Sequence, residues 1–360
     1  MTNYNKYFSY DINADTSESV RKVTILRNGS DKSDLIATFN QNKTVAFFNT
    51  INGKKVFSRM IGKKPIIGLV TSKPSSREDA ETPYPIAASI SADNKIMLIS
   101  SLDGISIKTV KPKNTEVRSI ALHYGPISSK SAAVEMFLVI ASSDLKLFLW
   151  NLSTNICTKV FKGHRENIYS INITEVDKVE DGWSVLLIST SADKTARSWD
   201  LTKGGMKHIF RHKSTVGASC MSKAGVLVTG TSDGKIFIWD EGSAILLITL
   251  KGHLDAIFCL DFWYGEEVLL VSCSMDHSVR VWDIEKGENV ATLLGHECAV
   301  RSVCVAYFPD SRIISCGADG TVKVEEVTIF KTLLYRVFAR SSPSLNSIAY
   351  PFANSPSIFL

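Results

Sequence analysis

Apolar runs of strand length recur along the chain, each followed by a small hydroxyl-rich stretch, an Asp in a turn, and an alternating apolar–polar strand. Four segments show this plainly: LLISTSADKTARSWD (186–200), VLVTGTSDGKIFIWD (226–240), LLVSCSMDHSVRVWD (269–283) and RIISCGADGTVKVEE (312–326). In three of them the Asp stands six residues before a Trp: Asp193 and Trp199, Asp233 and Trp239, Asp276 and Trp282. In the fourth, Asp319 leads to Glu325. The register extends backwards with weaker spelling, from Asp144 to Trp150, Asp103 to Thr109 and Asn42 to Phe48. The seven turn positions are separated by 61, 41, 49, 40, 43 and 43 residues. Spacings of about 40–45 residues are those of a four-stranded unit repeated radially. The pattern predicts an all-β chain of seven four-stranded antiparallel sheets.

Gly163-His164, Gly252-His253 and Gly295-His296 are each followed about 30 residues later by the end of such a strand, Trp-Asp in the first two. With these pairs the chain resembles the WD-repeat (transducin-beta-like) β-propeller family, strongly over 134–330 and faintly before. The resemblance implies a buried hydrogen-bonded tetrad in a blade, formed by the histidine, a second-strand hydroxyl, the turn Asp and the third-strand Trp. Carried over, this is His164, Ser189, Asp193 and Trp199 in blade four, and His253, Ser272, Asp276 and Trp282 in blade six. The residue types coincide with those of a catalytic triad, but a set that recurs blade after blade is structural. Blade five has Arg211-His212 with Thr229, Asp233 and Trp239. Blade seven has His296, Ser315 and Asp319 with Glu325 in place of the indole, and blades one to three lack the histidine.

Blade one is expected from Val20 through Met60, and Lys63–Tyr84, with Pro65, Pro74 and Pro83, reads as an inserted loop. Glu175–Gly182 reads as a smaller insertion between the first two strands of blade four. Two segments compete for the outer strand of blade seven, Tyr7–Ile12 and Thr328–Arg340. Ser344–Tyr350 and Ser357–Leu360 resemble the opening strands of a further blade, so an eight-bladed ring with its last blade incomplete stays open. The domain reading is an N-terminal segment with a closing strand (1–17), the propeller (18–340), and a tail or partial extra blade (341–360).

Composition adds little to this. Hydrophobic residues make up 44% of the 360 positions, enough for a core, and the net charge of +5 is no concentrated basic face. Lysines do gather early, at Lys54-Lys55, Lys63-Lys64, Lys108, Lys111 and Lys113. They supply the alternative function, binding of RNA or anionic lipid. Seven cysteines without a C-x-x-C pair argue against zinc and disulfides, and are expected to be reduced and mostly buried. With no signal peptide or membrane span legible, the chain is expected to be intracellular, cytoplasmic or nuclear. No metal spacing, phosphate-binding loop or nucleophile elbow is present, so neither a cofactor nor an enzyme is expected.

The function that follows is a non-catalytic scaffold or adaptor within a multiprotein complex, the chain itself monomeric. By the resemblance, partners favour positions just after the GH histidine and just before the turn Asp. These are Asn167, Tyr169, Ala256, Phe258, Ala299, Arg301 and Met275, with Phe258 alternatively a core residue. W-D-x-R, which marks substrate receptors of ubiquitin ligases in this family, is absent after Trp199, Trp239 and Trp282.

Overall fold

The structure, a computed structural model, describes residues 5–13, 20–26, 35–39, 43–60, 64–71, 86–100, 105–112, 116–127, 135–178, 182–265, 267–307 and 311–328. These form seven four-stranded antiparallel sheets. Within each sheet the strands are called a to d outward. The seven a strands are Lys22–Leu26, Ile66–Thr71, Val117–Tyr124, Ile168–Lys178, Val216–Met221, Ile257–Tyr264 and Val300–Ala306. Each a strand contacts the a strand of the next blade, and the seventh contacts the first. The ring therefore closes at seven blades, and the eight-bladed alternative is excluded.

Closure is made by the N-terminal strand. Asn5–Asn13 pairs antiparallel with Thr321–Thr328, from Asn5 opposite Thr328 to Asn13 opposite Thr321. It is strand d of blade seven, and it covers an edge that would otherwise present unpaired backbone groups. The competing segment Thr328–Arg340 lies outside the described residues beyond Thr328, as do 344–350 and 357–360.

Burial across a blade explains the sequence pattern. The b strands lie between two neighbouring blades and are buried almost throughout, at every position in Leu35–Phe39, Ile86–Ser91 and Val226–Thr231. Buried on both faces, they read as continuous apolar runs. The d strands are mostly exposed, as Lys55–Met60 shows. Seven apolar clusters result, one in each gap between blades; the last joins Val20, Val23, Ile36 and Phe48 of blade one to Cys304, Ile314, Val322 and Val324 of blade seven. The core is thus a set of wedges, each belonging to two blades, as expected of a fold stabilised by nearest neighbours. Polar ties cross the same gaps. Asn172 Nδ2 donates to the Ser219 carbonyl (2.6 Å), Arg312 Nη1 to that of Thr50 (2.6 Å), and Lys159 Nζ to that of Leu201 (2.6 Å). The buried Glu241 carboxylate of blade five accepts from Ser198 Oγ (2.8 Å) and from Lys207 Nζ of blade four.

Three expectations need correction. In blade two, the b and c strands are Ile86–Ser91 and Ile96–Ser100, so the b–c turn holds Asp93 and not Asp103. Residues 101–104, outside the described residues, fall between strands c and d. With Asp93 in register the first two steps become 51 and 51 residues, and the anomalous 61 disappears. The segment read as an insertion, Lys63–Tyr84, contains strand a of blade two; only 72–85 lies between its strands a and b. Of Glu175–Gly182, residues 175–178 and 182 belong to strands and 179–181 lie outside the described residues. Strands Ile168–Lys178 and Gly182–Ser191 run on as a hairpin, pairing Glu175 with Val185, Asp177 with Trp183 and Lys178 with Gly182.

Candidate functional site

The seven b–c turns share one backbone. The residue after each turn position is left-handed: Lys43, Asn94, Leu145, Lys194, Gly234, His277 and Gly320 have φ between 61° and 79°. Only Gly and Asn enter this region readily, so Lys43, Leu145, Lys194 and His277 hold it because the flanking strands impose it.

In blade four, His164 Nδ1–H donates to Asp193 Oδ2 (2.8 Å), Ser189 Oγ–H donates to His164 Nε2 (2.7 Å), and Trp199 Nε1–H donates to Ser189 Oγ (2.9 Å). Blade six repeats the set with His253, Asp276 (2.8 Å), Ser272 (2.7 Å) and Trp282 (2.8 Å). This donor order uses each group once in each role and needs a neutral imidazole. Burial supplies that by holding the His164 and His253 pKa values down, against the pull of their Asp partners. Burial would raise the Asp193 carboxyl, but hydrogen bonds from Thr195, His164 and the Arg165 N–H override it and set the pKa at about 2. Asp276 is depressed further in the same way, by Ser278, the Leu254 N–H and His253. Gly163 and Gly252 precede these histidines because a Cβ would lie 3.2 Å and 2.9 Å from the Trp199 and Trp282 rings.

A fifth member was missed in the sequence. Two residues after the turn Asp, Thr195, Ser278 and Thr321 each donate Oγ–H to the second carboxylate oxygen, at 2.6, 2.6 and 2.8 Å. In blades three and five that position is Lys146 and Lys235. There the carboxylate turns outward to the ammonium, Asp144 at 2.6 Å and Asp233 at 2.5 Å. His212 of blade five consequently has no Asp: its Nε2 meets Thr229 Oγ1 (2.9 Å), its ring lies edge-on to Phe237 and Trp239, and its Nδ1 is buried without a hydrogen-bond partner. Blade seven keeps His296 on Asp319 (2.7 Å) and Ser315 (2.9 Å), with Glu325 buried at the indole position.

Asp276→Ala should therefore cost about 1–3 kcal/mol, because it strips partners from the buried His253 and Ser278, and from the Leu254 N–H at the surface. Asp233→Ala, which removes a half-exposed ion pair and a local turn bond, should cost about 0–1 kcal/mol. Urea unfolding of the two variants checks the contrast; equal losses would contradict it.

These networks frame one end of the ring, where the d–a connections and b–c turns lie. The second residue of strand a forms a β-bulge in six blades: Ile67, Arg118, Tyr169, Gly217, Phe258 and Arg301. In blade one, Arg21 follows buried Val20 at the matching place without a bulge. A bulge re-aims its side chain, and because the a strands are the innermost of each blade and contact one another in turn, these positions ring the axis at this end, called the mouth below. Arg21, Arg118 and Arg301 are exposed, and Tyr169 is 52% exposed. Phe258 is half-buried against the apolar cluster of blades six and seven, with the Arg301 guanidinium 5.1 Å from its ring centre. Asn167 and Met275 are exposed on the same rim, joined by Leu254 and Leu294, which the sequence reading overlooked. Ala256 and Ala299 use their carbonyls to hold the Met275 and Ala318 N–H groups.

The early lysines do not form one patch. Lys54 and Lys55 lie at the opposite end, Lys64 and Lys111 at this one, and Lys108 Nζ is bound to the Leu152 carbonyl of the next blade. Lys63 and Lys113 fall outside the described residues. The seven cysteines are free thiols; Cys220, Cys273, Cys304 and Cys316 are buried, Cys157 and Cys259 partly so, and Cys298 is exposed. Among the described residues no helix is long and apolar enough to cross a membrane.

The repeat family described as "WD domain, G-beta repeat" matches residues 155–200, 205–240, 245–283 and 287–324. Each match takes strand d of one blade with strands a to c of the next, so the sequence unit is offset by one strand from the structural one. Among curated proteins the chain is similar to autophagy-related protein 16 of Arabidopsis thaliana, 27% identical over 136 residues, covering 38% of this chain and 26% of that protein. It is 29% identical over 211 residues to nuclear distribution protein PAC1 of Arthroderma benhamiae (48% and 44% covered), and 33% over 92 residues to the ribosome biogenesis protein WDR12 homolog of Oryza sativa subsp. japonica (24% and 21%). The chain thus spans less than half the length of each of these relatives. The four matched segments are WD repeats, and the closed ring of seven four-stranded blades that contains them is a β-propeller.

Proposed function

We propose that this propeller is a non-catalytic scaffold that holds partner proteins within a complex through the channel mouth at its d–a/b–c end. The observation that carries this is the bulge ring. Its structural equivalence across blades is a property of the fold, yet beside Ile67 and Gly217 its four other members are Arg118, Tyr169, Phe258 and Arg301, types enriched at the centres of interfaces. The His/Asp/Ser sets that could suggest chemistry are buried and consumed by their own hydrogen bonds. The names of the relatives, which concern autophagy, nuclear distribution and ribosome biogenesis, share no reaction. A reducing, intracellular setting, cytoplasmic or nuclear, suits an interior that carries four buried free thiols. The chain acts as a monomer in its complex.

The test is the variant Tyr169→Ala/Arg301→Ala, used as bait in affinity purification beside the parent. Both side chains are exposed, so the thermal midpoint should hold within a few degrees while bound partners fall about tenfold or more. A variant that keeps every partner at parental yield would refute the assignment.

A further inference from the structure

We infer that the channel mouth is built for an acidic protein segment that carries one apolar or aromatic anchor, an inference that rests on the scaffold reading and names its partner chemistry. The mouth is two-sided. Blades seven, one and three present the guanidinium groups of Arg301, Arg21 and Arg118. Blades four and six present Tyr169 and Phe258, and between them blade five presents only Gly217. A Cβ on Gly217 would stand 2.9 Å from the Ile257 carbonyl oxygen of blade six, so the close packing of the two strands keeps this position bare. At this position, then, main chain alone stands between two blades that carry aromatic rings, which leaves room for a single apolar side chain of a partner. The guanidinium at 5.1 Å from the Phe258 ring centre links this position to the cationic side.

Charge sets the class of the occupant. Around the mouth, Lys64, Lys111, Lys194, Lys213 and Lys251 are exposed on the same end of the ring. Much of the acid there is already answered: Asp144 and Asp233 are paired with Lys146 and Lys235, and Asp193, Asp276 and Asp319 are held by their histidines. Glu116 lies 3.4 Å from Arg118, an open, solvated pair that a stronger carboxylate ligand can replace. Planar guanidinium groups receive carboxylates in bidentate fashion. A nucleic acid is a poorer fit. It needs a continuous basic surface that tracks its backbone, whereas Glu166, Asp255 and Glu297 interrupt the rim on blades four, six and seven. A membrane is a poorer fit for the same reason.

The test uses the whole chain and a short fluorescent peptide of Asp and Glu residues with one central Trp. It is compared with the same peptide in Asn and Gln, the acidic peptide with Ala for Trp, a single-stranded RNA, and vesicles containing phosphatidylserine. Anisotropy should show the acidic Trp peptide binding at least about tenfold tighter than either control peptide, with affinity falling as salt rises. Arg21→Ala/Arg301→Ala should remove the advantage over the Asn/Gln peptide, and Tyr169→Ala the advantage over the Ala peptide. Equal binding of charged and uncharged peptides, no binding of the acidic one, or tighter binding of RNA or vesicles overturns the inference. If that happens while Tyr169→Ala/Arg301→Ala still loses its cellular partners, the mouth remains the interface and only the acidic class is wrong. If the partners persist, the interface assignment itself falls.

Discussion

Replacing Trp282 by Ala is expected to remove about 3–5 kcal/mol of stability, a large share of what a domain possesses. The ring is 1% exposed, closes the apolar wedge between blades five and six, and donates to Ser272 Oγ at 2.8 Å. The loss is shared by two blades, so the whole unfolding transition should shift as one. Trp282→Phe separates the two contributions. It keeps most of the apolar ring and removes the N–H, and should cost about 1–2 kcal/mol, because Ser272 still serves His253 at 2.7 Å. Urea midpoints report both values; an Ala variant that loses under about 1 kcal/mol would mean that the wedge does not depend on this ring.

The second large effect is on acid stability, and it centres on His212. Its pKa falls from 6.5 to about 4 on burial, and Asp233, which makes no hydrogen bond to the ring, offsets only part of the lost solvation. The folded pKa is the lower one, so between those values the unfolded chain binds more protons. Stability is therefore full above about pH 6.5 and declines as pH falls toward 4, by up to about 3 kcal/mol from this group. His164 and His253, also held down by burial, add to the same limb. Below it the depressed carboxylates take over: Asp193, at about 2, loses its contribution only as pH falls from near 3.8 through 2. His212→Gln should flatten the decline between pH 6.5 and 4 and leave the limb below 4 intact. An unchanged slope above pH 4 would show that another group titrates there.

Much of this was legible in the sequence because repetition turns weak signals into strong ones. The six-residue interval from turn Asp to Trp is the length of a tight turn plus the part of strand c that carries the ring to its Ser or Thr. It held in blades three to six, where that ring is an indole. It failed in blade two, where the ring position is Ile99 and both Asp93 and Asp103 satisfy the interval. A hydroxyl four residues before the turn decides between them. Ser89 stands there for Asp93, as Thr38, Ser189, Thr229, Ser272 and Ser315 do in other blades, whereas Ile99 stands there for Asp103. The residue two after the Asp was equally readable and overlooked: a Ser or Thr draws the carboxylate inward, a Lys draws it out.

The mouth was only half legible. Tyr169, Phe258 and Arg301 follow from their place after the GH pair, but Arg21 and Arg118 belong to blades without that pair, and nothing local marks them. A bulge leaves no signature in composition; it is a shift of register between strands a and b. Phe258 also shows why the core and interface readings were hard to separate, since it is half-buried in an apolar cluster and still carries Arg301 on its ring. The closing strand was undecidable from pattern alone, because strand d of a blade is the most exposed and least constrained of the four.

The division between a buried frame and one exposed working end is tested most directly by lysine crosslinking of the protein in its native assembly, read by mass spectrometry. Both ends of the ring carry exposed lysines: Lys64, Lys111, Lys194, Lys213 and Lys251 at the d–a/b–c end, and Lys54, Lys203, Lys223 and Lys286 at the other. On this division, crosslinks to partner proteins concentrate on the first set. Partner crosslinks concentrated on Lys54, Lys203, Lys223 and Lys286 would contradict it.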